Sequence, residues 1–314
     1  MLEASFFHYD DMLRAVRGLT PQQLAGFVAD TLGGGAYIST YLGGNVDAAV
    51  ALSFSKAMHA ALGSPPPLQQ SDVHANTVML LADEGSCWLV WAVGAKNPTD
   101  SNSAVETYWQ LGPSEHGLSA RLTLLEHLMY EPLFDALRTK QQLGYTVHCC
   151  ARNTLQMLGF TVTVVSATHL PLEIEGRIGE FLASFLDSLA AMPATEFAKN
   201  VEAAVANRLQ RDRNLAEEAA RYFPEIEART FVFDRAEREA ELMRATSQSE
   251  LAEWARRALV GDEARRLSVH VHKGGADPAG EALPDGALRF ELETEKAKLS
   301  TWTQPDEPLP PLAM

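Results

Sequence analysis

The chain has 314 residues, 46% of them hydrophobic, and carries a formal net charge of −15. This length suffices for one full domain and part of a second, and the hydrophobic fraction is that of a packed globular protein. Nucleic acid is a poor partner for so acidic a chain, because binding to it depends on cations that meet phosphates. The charge favours cationic peptides or proteins, and acidity that serves solubility alone is the alternative.

The cysteines and the N-terminal residues indicate the cellular compartment of the protein. The three cysteines, Cys87, Cys149 and Cys150, define no disulfide framework and fit a reducing environment. No apolar run is long enough to span a membrane, so no membrane association is predicted. The first residues, MLEASFFHYDDML, carry acids where a signal or transit peptide carries cations. The sequence therefore predicts a cytoplasmic protein, with a mitochondrial location as the alternative if the true N-terminus lies upstream.

The first 62 residues read as helix, strand and helix. Thr20 can cap a helix that begins at Pro21 and ends at the glycines from Gly33. The run AYISTYLGG, residues 36–44, alternates like a strand, and VDAAVALSFSKAMHAAL resumes helical spacing. This unit is too small to bury both of its faces alone. Residues 1–62 are therefore predicted to be the tail of a preceding domain.

A proline-rich stretch and a run of strands and helices follow. Residues 63–72, GSPPPLQQSD, form a predicted linker, because three consecutive prolines fit neither neighbouring element. Strand-like runs come next: NTVMLLA, CWLVWAVGA and AVETYWQL. The segment GLSARLTLLEHLMYEPLFDALRTK has helical periodicity, and Pro132 should kink or break that helix. Its predicted apolar face comprises Leu118, Leu122, Leu125, Met129 and Leu133.

The second half of the chain alternates between strand and helix signals. LGFTVTV reads as a half-buried strand, EIEGRIGEFLASFLDSL as an amphipathic helix, and RLSVHVH as a last strand. Further helices are predicted near residues 195–211, 215–221 and 234–244, and Ser247 with Glu250 forms a capping box for another. The order of elements indicates an α+β fold over residues 73–273, with helices that cover one face of a largely antiparallel sheet.

Two composition features of this half carry further expectations. The acidic clusters EIEGRIGE and RAEREAE are predicted to be solvated helix faces with salt-bridged neighbours. From Gly274 onward proline, glycine and charged residues dominate. Residues 274–314 are therefore predicted to be a loosely held tail.

A metal site is the first chemistry to test. The segment TLLEH holds the last two positions of an HxxEH pattern, with Thr123 where the first ligand should stand before His127. Catalytic zinc needs three protein ligands, usually two of them one helical turn apart, and threonine is no substitute. His270 and His272 share a strand face without an evident third ligand, and the adjacent cysteines point to opposite faces. No metal or cofactor is predicted to bind this chain.

The stretch LRTKQQLGYTVHCC places an arginine and a tyrosine at a helix-to-strand turn. A cation in the last turn of a helix interacts well with the helix dipole, and tyrosine suits a half-buried strand, so Arg138 and Tyr145 have a structural explanation. The functional alternative is that Arg138 offers a planar fork of donors to carbonyls or carboxylates. Tyr145 would then donate to a developing oxyanion, and Gly144 would let the backbone turn sharply enough to present both.

The segment EPLFDALRTKQQLGY resembles the C-terminal half of the inverzincin, or pitrilysin-type, zinc metallopeptidases, in the branch of insulin-degrading enzyme and nardilysin. The resemblance continues through RNTLQMLGFTVTV, EGRIGEFLASFLDSL, YFPEIEARTFVFDR and RRLSVHVH. It covers Pro65 to Lys273 well and the preceding residues more faintly. It implies a half-clamshell fold, in which residues 1–62 end a third peptidase domain and residues 73–273 form the fourth.

The same resemblance implies roles for two residues. In this family an HxxEH helix of the first domain binds zinc, and its glutamate activates the attacking water. Arg138 would hold substrate main chain, and Tyr145 would hydrogen-bond the scissile carbonyl as it becomes an oxyanion. Because this chain has no complete HxxEH, it is predicted to be inactive alone and to work with a zinc-bearing N-terminal half, from the same gene or a separate chain. Peptides, basic ones among them, are the expected substrates, and a non-catalytic peptide-binding or assembly subunit is the alternative.

Overall fold

Three helices open the chain. The computed structural model describes residues 2–3, 7, 9–68, 72, 75, 77–82, 84–280, 282–291 and 298–305. Helices α1, α2 and α3 span Tyr9–Gly18, Pro21–Gly33 and Ala48–Ala61. As predicted, Thr20 caps α2, through a capping box with Gln23. None of the three helices contains a buried residue, so their apolar side chains are at least partly exposed.

The prediction of a strand over residues 36–44 is wrong. The segment makes only an isolated bridge, between Ala36 and Pro67. The Ala36 amide donates to the Pro66 carbonyl at 2.8 Å, and the Leu68 amide donates to the Ala36 carbonyl at 3.3 Å. A strand requires a neighbour that satisfies its backbone groups along its length. No strand in the described part of the chain lies beside this segment.

The strands form one large sheet and one small one. Six of them pair in the order β4-β5-β3-β6-β2-β7, and β1 pairs with β8. Strand β3 is antiparallel to β5 and β6, β4 is antiparallel to β5, and β2 runs parallel to β6 and β7. The largely antiparallel sheet is therefore confirmed. The strands β1 to β8 are Thr77–Met79, Cys87–Gly94, Ser103–Pro113, Thr146–Thr154, Met157–Ser166, Arg265–His272, Leu288–Arg289 and Thr301–Thr303.

Helices cover one face of the large sheet, which confirms the α+β prediction. The main core joins apolar residues of these helices to Trp109, Phe160 and Val162 of the sheet. All five residues of the predicted apolar face of α4 are buried. Ser247 and Glu250 form the predicted capping box of α9. Helices α4 to α9 are His116–Leu133, Pro171–Ala191, Ala194–Arg208, Leu215–Glu227, Arg235–Ala245 and Gln248–Val260.

A smaller core lies on the other face of the sheet, where Tyr108 and Leu267 pack against Val78 of β1 and Phe290. Two strands, β7 and β8, belong to residues 274–314, which the sequence predicts to be a loosely held tail. Where it is described, this segment is therefore more ordered than predicted. Strand β7 lies beside β2, and β8 lies beside β1. Backbone pairing and apolar burial hold these pieces against the domain, despite their polar composition. Residues 281, 292–297 and 306–314 of the tail, and 69–71 of the predicted linker, lie outside the described residues.

The length and hydropathy of a helix determine whether it can cross a bilayer. In the part of the chain that the structure describes, no helix is both long enough and apolar enough to cross a membrane.

Candidate functional site

The site begins where helix α4 changes its hydrogen-bond register. The helix passes through Pro132 and continues from Leu133 into a π-helix over Phe134–Lys140. Proline has no amide hydrogen to donate within a helix, which weakens the ladder at this point. The helix does not break at Pro132, and the predicted kink there stays a prediction. The register widens only after Leu133, where the Gln141 amide donates to the Ala136 carbonyl at 3.0 Å. Such π segments occur frequently at functional sites.

The chain then enters strand β4 over a short, tightly fixed turn. Leu143 is buried, and its amide donates to the Leu137 carbonyl at 3.0 Å. The next residue, Gly144, lies against the backbone of β5, since a Cβ at this position would stand 1.9 Å from the Val165 carbonyl oxygen. Close approach to a neighbouring strand therefore requires the glycine here.

Arg138 and Tyr145 meet across this turn. The guanidinium carbon of Arg138 lies 5.6 Å from the centroid of the Tyr145 ring, within the range of a cation–π contact. The Tyr145 side chain is 87% exposed, whereas Arg138 is half-buried. Lys140, on the same turn, pairs with Asp135 at 2.7 Å. Within the described ranges Arg138 has no such acidic partner, so its nitrogen donors face an outside ligand or water.

The arrangement can donate hydrogen bonds to a carbonyl or carboxylate from two directions. A guanidinium presents parallel N–H donors in one plane, and a cation–π contact uses only its face. An exposed phenol presents one O–H donor that reorients freely. Together, Arg138 and Tyr145 fit a peptide main chain at the surface of the domain. A helix-terminal cation stacked on a strand tyrosine has the same geometry, so the contact by itself does not assign a role.

Comparisons with known proteins identify the family. Residues 124–223 match the family model described as PQQ synthase PqqF-like, C-terminal lobe domain 4. The chain is 33% identical to nardilysin of Rattus norvegicus over 274 residues, which are 86% of this chain and 23% of that protein. The chain belongs to the pitrilysin-type metallopeptidase family. It is also 30% identical over 178 residues to insulin-degrading enzyme of Drosophila melanogaster, covering 56% of this chain and 18% of the enzyme.

Solved structures show the same fold. The crystal structure of pitrilysin superposes with a TM-score of 0.80 at 20% identity, over 96% of this chain and 31% of pitrilysin. An inactive domain of peptidase M16 from Pseudomonas fluorescens superposes with a TM-score of 0.55 at 13% identity, over 84% of this chain and 60% of that one. The predicted resemblance and fold are confirmed. The chain spans about a quarter of the length of the nardilysin that it matches, and the roles of Arg138 and Tyr145 stay predictions.

In the segment TLLEH of α4, both leucines are buried, whereas Thr123, Glu126 and His127 are partly exposed. Thr123 donates to the Ser119 carbonyl at 3.0 Å, and Glu126 accepts from the Ala151 amide at 3.0 Å. The glutamate therefore binds the free edge of strand β4. Beside it, His127 lines an open hollow of about 550 Å³ between α4 and α6. Among the residues that the structure describes, no group of three or more His, Cys, Asp or Glu side chains could hold a metal ion.

Sequence reasoning missed a charged group in the core. Glu175 of the EIEGRIGE cluster is only 2% exposed, so the prediction of a solvated face is wrong for this residue. It accepts from Thr107 at 3.1 Å, contacts His270 Nε2 at 3.0 Å and pairs with Arg266. Burial lowers the pKa of Arg266 to about 9, which still leaves the guanidinium charged at neutral pH. Helical spacing could have indicated that Glu175 is buried, because it lies three residues before the apolar Ile178 and therefore on the same face of the helix.

The second acidic cluster, RAEREAE, contains the same kind of exception. Glu239 is 1% exposed, and Arg208 of α6 pairs with it at 2.7 Å. Among the residues that the structure describes, none forms a hydrogen bond with one carboxylate oxygen of Glu239, and Arg235 approaches that oxygen at 4.0 Å. Glu239 lies three residues after Ala236 and four before Met243, which are both buried. That spacing places it on the packed face of α8.

Proposed function

We propose that this chain completes the active site of a pitrilysin-type zinc endopeptidase. It would do so by presenting Arg138 and Tyr145 to a peptide held against a zinc-bearing half. One observation carries the proposal: the Arg138 guanidinium carbon lies 5.6 Å from the centroid of the Tyr145 ring. Arg138 has no acidic partner in the described ranges, and Tyr145 is 87% exposed. At this exposure Tyr145 buries little of its surface against the domain, and a ligand in the complete enzyme would cover it.

The two side chains would act at different parts of the substrate. Zinc in the other half supplies the Lewis acid and the activated water for amide hydrolysis. The Arg138 fork donates to main-chain carbonyls and fixes the extended substrate. The Tyr145 hydroxyl donates to the scissile carbonyl oxygen, where negative charge develops. A donor that binds more tightly as charge develops stabilises the transition state more than the bound peptide.

The domain assignment belongs to the same proposal. Residues 1–62 would end a third peptidase domain, residues 63–72 would link it to a fourth, and residues 73–273 would form that fourth domain. Outward-facing apolar residues on α1 and α2, such as Val16 at 63% and Phe27 at 66% exposure, support an interface there. The zinc-bearing half would come from the same gene or a separate chain. A cytoplasmic location fits the three unpaired cysteines.

The substrates proposed are peptides, with basic ones favoured by the charge of −15. A non-catalytic peptide-binding or assembly subunit is the second candidate. The likeness to the Pseudomonas fluorescens structure, whose printed description is an inactive domain, favours that candidate. The two candidates differ in one measurable respect, since only the first requires the Tyr145 hydroxyl for turnover.

The test is reconstitution with a zinc-bearing N-terminal half of a pitrilysin-type peptidase. The combined enzyme should cleave a quenched fluorescent peptide, and either part alone should not. Tyr145→Phe should lower the turnover number by about 100- to 1000-fold, the loss typical of one oxyanion donor. Tyr130→Phe, which removes a hydroxyl from another exposed tyrosine, is the matched control and should keep full turnover. Full turnover by a stably folded Tyr145→Phe enzyme would refute the proposed role.

A further inference from the structure

We propose that Gly144 is a positioning residue, whose backbone contact with Val165 sets the place of the Tyr145 phenol. The inference rests on the proposed function, and it adds a residue whose side chain touches no substrate. Its physical basis is that the chain around Tyr145 is fixed by backbone contacts on both sides, while the tyrosine side chain itself is almost free of packing.

The contact on the near side is between two backbones. A Cβ added at Gly144 would lie 1.9 Å from the Val165 oxygen, 2.8 Å from the Val165 carbonyl carbon and 3.2 Å from the Ser166 Cα. All three are backbone atoms of β5 or its end, and they cannot rotate aside as a flexible side chain does. Before Gly144, the buried Leu143 is tied to Leu137 by its amide. The turn therefore reaches β5 at one fixed separation.

The far side is fixed by strand pairing. Thr146, which follows Tyr145, is the first residue of β4 and stands opposite Val165 in the register. Val165 thus contacts Gly144 and also pairs with Thr146, and Tyr145 lies between these two anchor points. The Tyr145 side chain is 87% exposed, and its ring contacts the Arg138 guanidinium. Because packing around the ring is so sparse, the backbone sets where the side chain starts, and the contact with Arg138 favours one orientation of the ring from that point.

A methyl group at position 144 should therefore move the tyrosine without removing it. The chain offers a matched control in Gly179 of α5, where an added Cβ would meet nothing within 4 Å. Gly179→Ala also replaces glycine by a better helix former. Any effect of Gly144→Ala that Gly179→Ala does not share arises from the contact with β5.

The first experiment uses the chain alone. Fluorotyrosine is incorporated at Tyr145, and the fluorine NMR signal is compared with and without Arg138→Met. In the native background Arg138→Met should shift the signal, because the guanidinium lies 5.6 Å from the ring. In the Gly144→Ala background the signal should start at a different position and should respond little to Arg138→Met. A response to Arg138→Met as large as in the native background would overturn the inference, whatever the chain does in catalysis.

The second experiment uses the reconstituted peptidase. Misplacement of a catalytic group by about 1 Å costs roughly 100-fold in rate, so Gly144→Ala should lower the turnover number by about that factor with little change in KM. Gly144→Ala combined with Tyr145→Phe should be no slower than Tyr145→Phe alone, since both remove the same interaction. Native turnover in Gly144→Ala, or additive losses in the double variant, would contradict the positioning role. Native turnover in Tyr145→Phe would instead contradict the proposed function.

A second variant covers the case in which Gly144→Ala does not fold. Insertion of one glycine between Gly144 and Tyr145 keeps the contact with Val165 free of a clash and moves the tyrosine along the chain. This variant should fold, as judged by circular dichroism and a cooperative thermal transition, and should lose turnover as strongly as Tyr145→Phe. Turnover close to native in the folded insertion variant would show that the position of Tyr145 is not fixed by this turn.

Discussion

The Arg138 guanidinium lies over the Tyr145 ring, with its central carbon 5.6 Å from the ring centroid. At an exposed site such a contact contributes about 0.5–1 kcal/mol, enough to favour one orientation of the ring. The contact leaves the N–H donors of Arg138 and the hydroxyl of Tyr145 available to a ligand. Under the proposed function, Arg138 would therefore make two separable contributions, one to substrate binding and one to the orientation of the Tyr145 ring.

Arg138→Lys should show how much of the effect of Arg138 depends on its planar guanidinium and how much on its positive charge alone. Lysine keeps the positive charge but loses the planar fork and most of the stacking on Tyr145. A hydrogen bond to a charged group is worth about 1.5–3 kcal/mol, so kcat/KM of the reconstituted peptidase should fall roughly 10- to 150-fold. Steady-state kinetics measure this fall, and urea unfolding should show stability within about 0.5 kcal/mol of native.

The control for Arg138→Lys is Lys140→Met, two residues along the same turn. It removes a cation that already pairs with the exposed Asp135, so kcat/KM should stay near native. An Arg138→Lys enzyme with native kcat/KM and native stability would show that this site requires charge alone.

Zinc binding tests the interpretation of TLLEH. The native chain should retain no stoichiometric zinc after dialysis, because Thr123 bonds to Ser119 and Glu126 bonds to Ala151. Thr123→His would place two imidazoles one helical turn apart on α4 and should raise zinc affinity measurably. Metal analysis of both proteins checks this. One tightly held zinc per native chain would instead make His127 and Glu126 part of a metal site.

The sequence predicts local features of this fold well, because their causes are local. The capping boxes at Thr20 and Ser247 depend on residues three positions apart, and both are present. The predicted strand at residues 36–44 fails because pairing depends on a neighbour that alternation in one segment does not reveal. Glu175 is buried because Arg266, far along the chain, supplies its counter-charge. Tertiary partners of this kind are invisible in a helix pattern.

The candidate site shows the same division. Arg138 and Tyr145 are both identifiable from the segment that contains them, and the structure brings them together. The sequence suggests a sharp turn as the reason for the glycine at position 144. The structure gives a different main reason, because a Cβ there would clash with the backbone of β5. The π-helical register after Pro132 was also not predictable, because proline in a helix leads to several outcomes that packing selects.

The ion pair between Glu225 and Arg235 should make stability depend on acid pH. Burial favours a higher pKa for Glu225, but hydrogen bonds from Arg235 and Thr230 outweigh it and lower the pKa below its ordinary value of 4.5. A carboxylate with a lowered folded-state pKa stabilises the protein above its unfolded pKa and loses that contribution as pH falls through the folded value. Melting temperature should therefore fall with pH below about 4.5.

Two variants isolate this effect from general acid denaturation. Glu225→Gln should be less stable than native at neutral pH, and the difference should shrink as pH falls below the ordinary pKa of 4.5. Glu227→Gln, on the exposed side of the same helix, is the matched control. A difference between Glu225→Gln and native that stays constant down to strongly acidic pH would argue against this ion pair.

The buried Glu175 should be the most sensitive charged residue of the core. Glu175→Gln keeps the shape but removes the counter-charge of Arg266, whose side chain is 12% exposed and whose guanidinium carbon lies 3.9 Å from the centroid of the Trp88 ring. Removing one partner of a buried ion pair costs about 3–5 kcal/mol, because the other charge is left uncompensated. Urea unfolding measures this loss. Glu173→Gln, two residues earlier with a side chain 49% exposed, should change stability by no more than about 0.5 kcal/mol.

A double variant decides whether the loss arises from the stranded cation. If it does, Glu175→Gln combined with Arg266→Met should recover much of the stability, because no charge is then left buried without a partner. The introduced methionine side chain would still pack between Trp88 and Trp109, which flank the native guanidinium. A double variant as unstable as the sum of its single changes would instead show that the hydrogen bonds of Glu175 to Thr107 and His270 carry the stability. The network would then be held by these two hydrogen bonds more than by its ion pair.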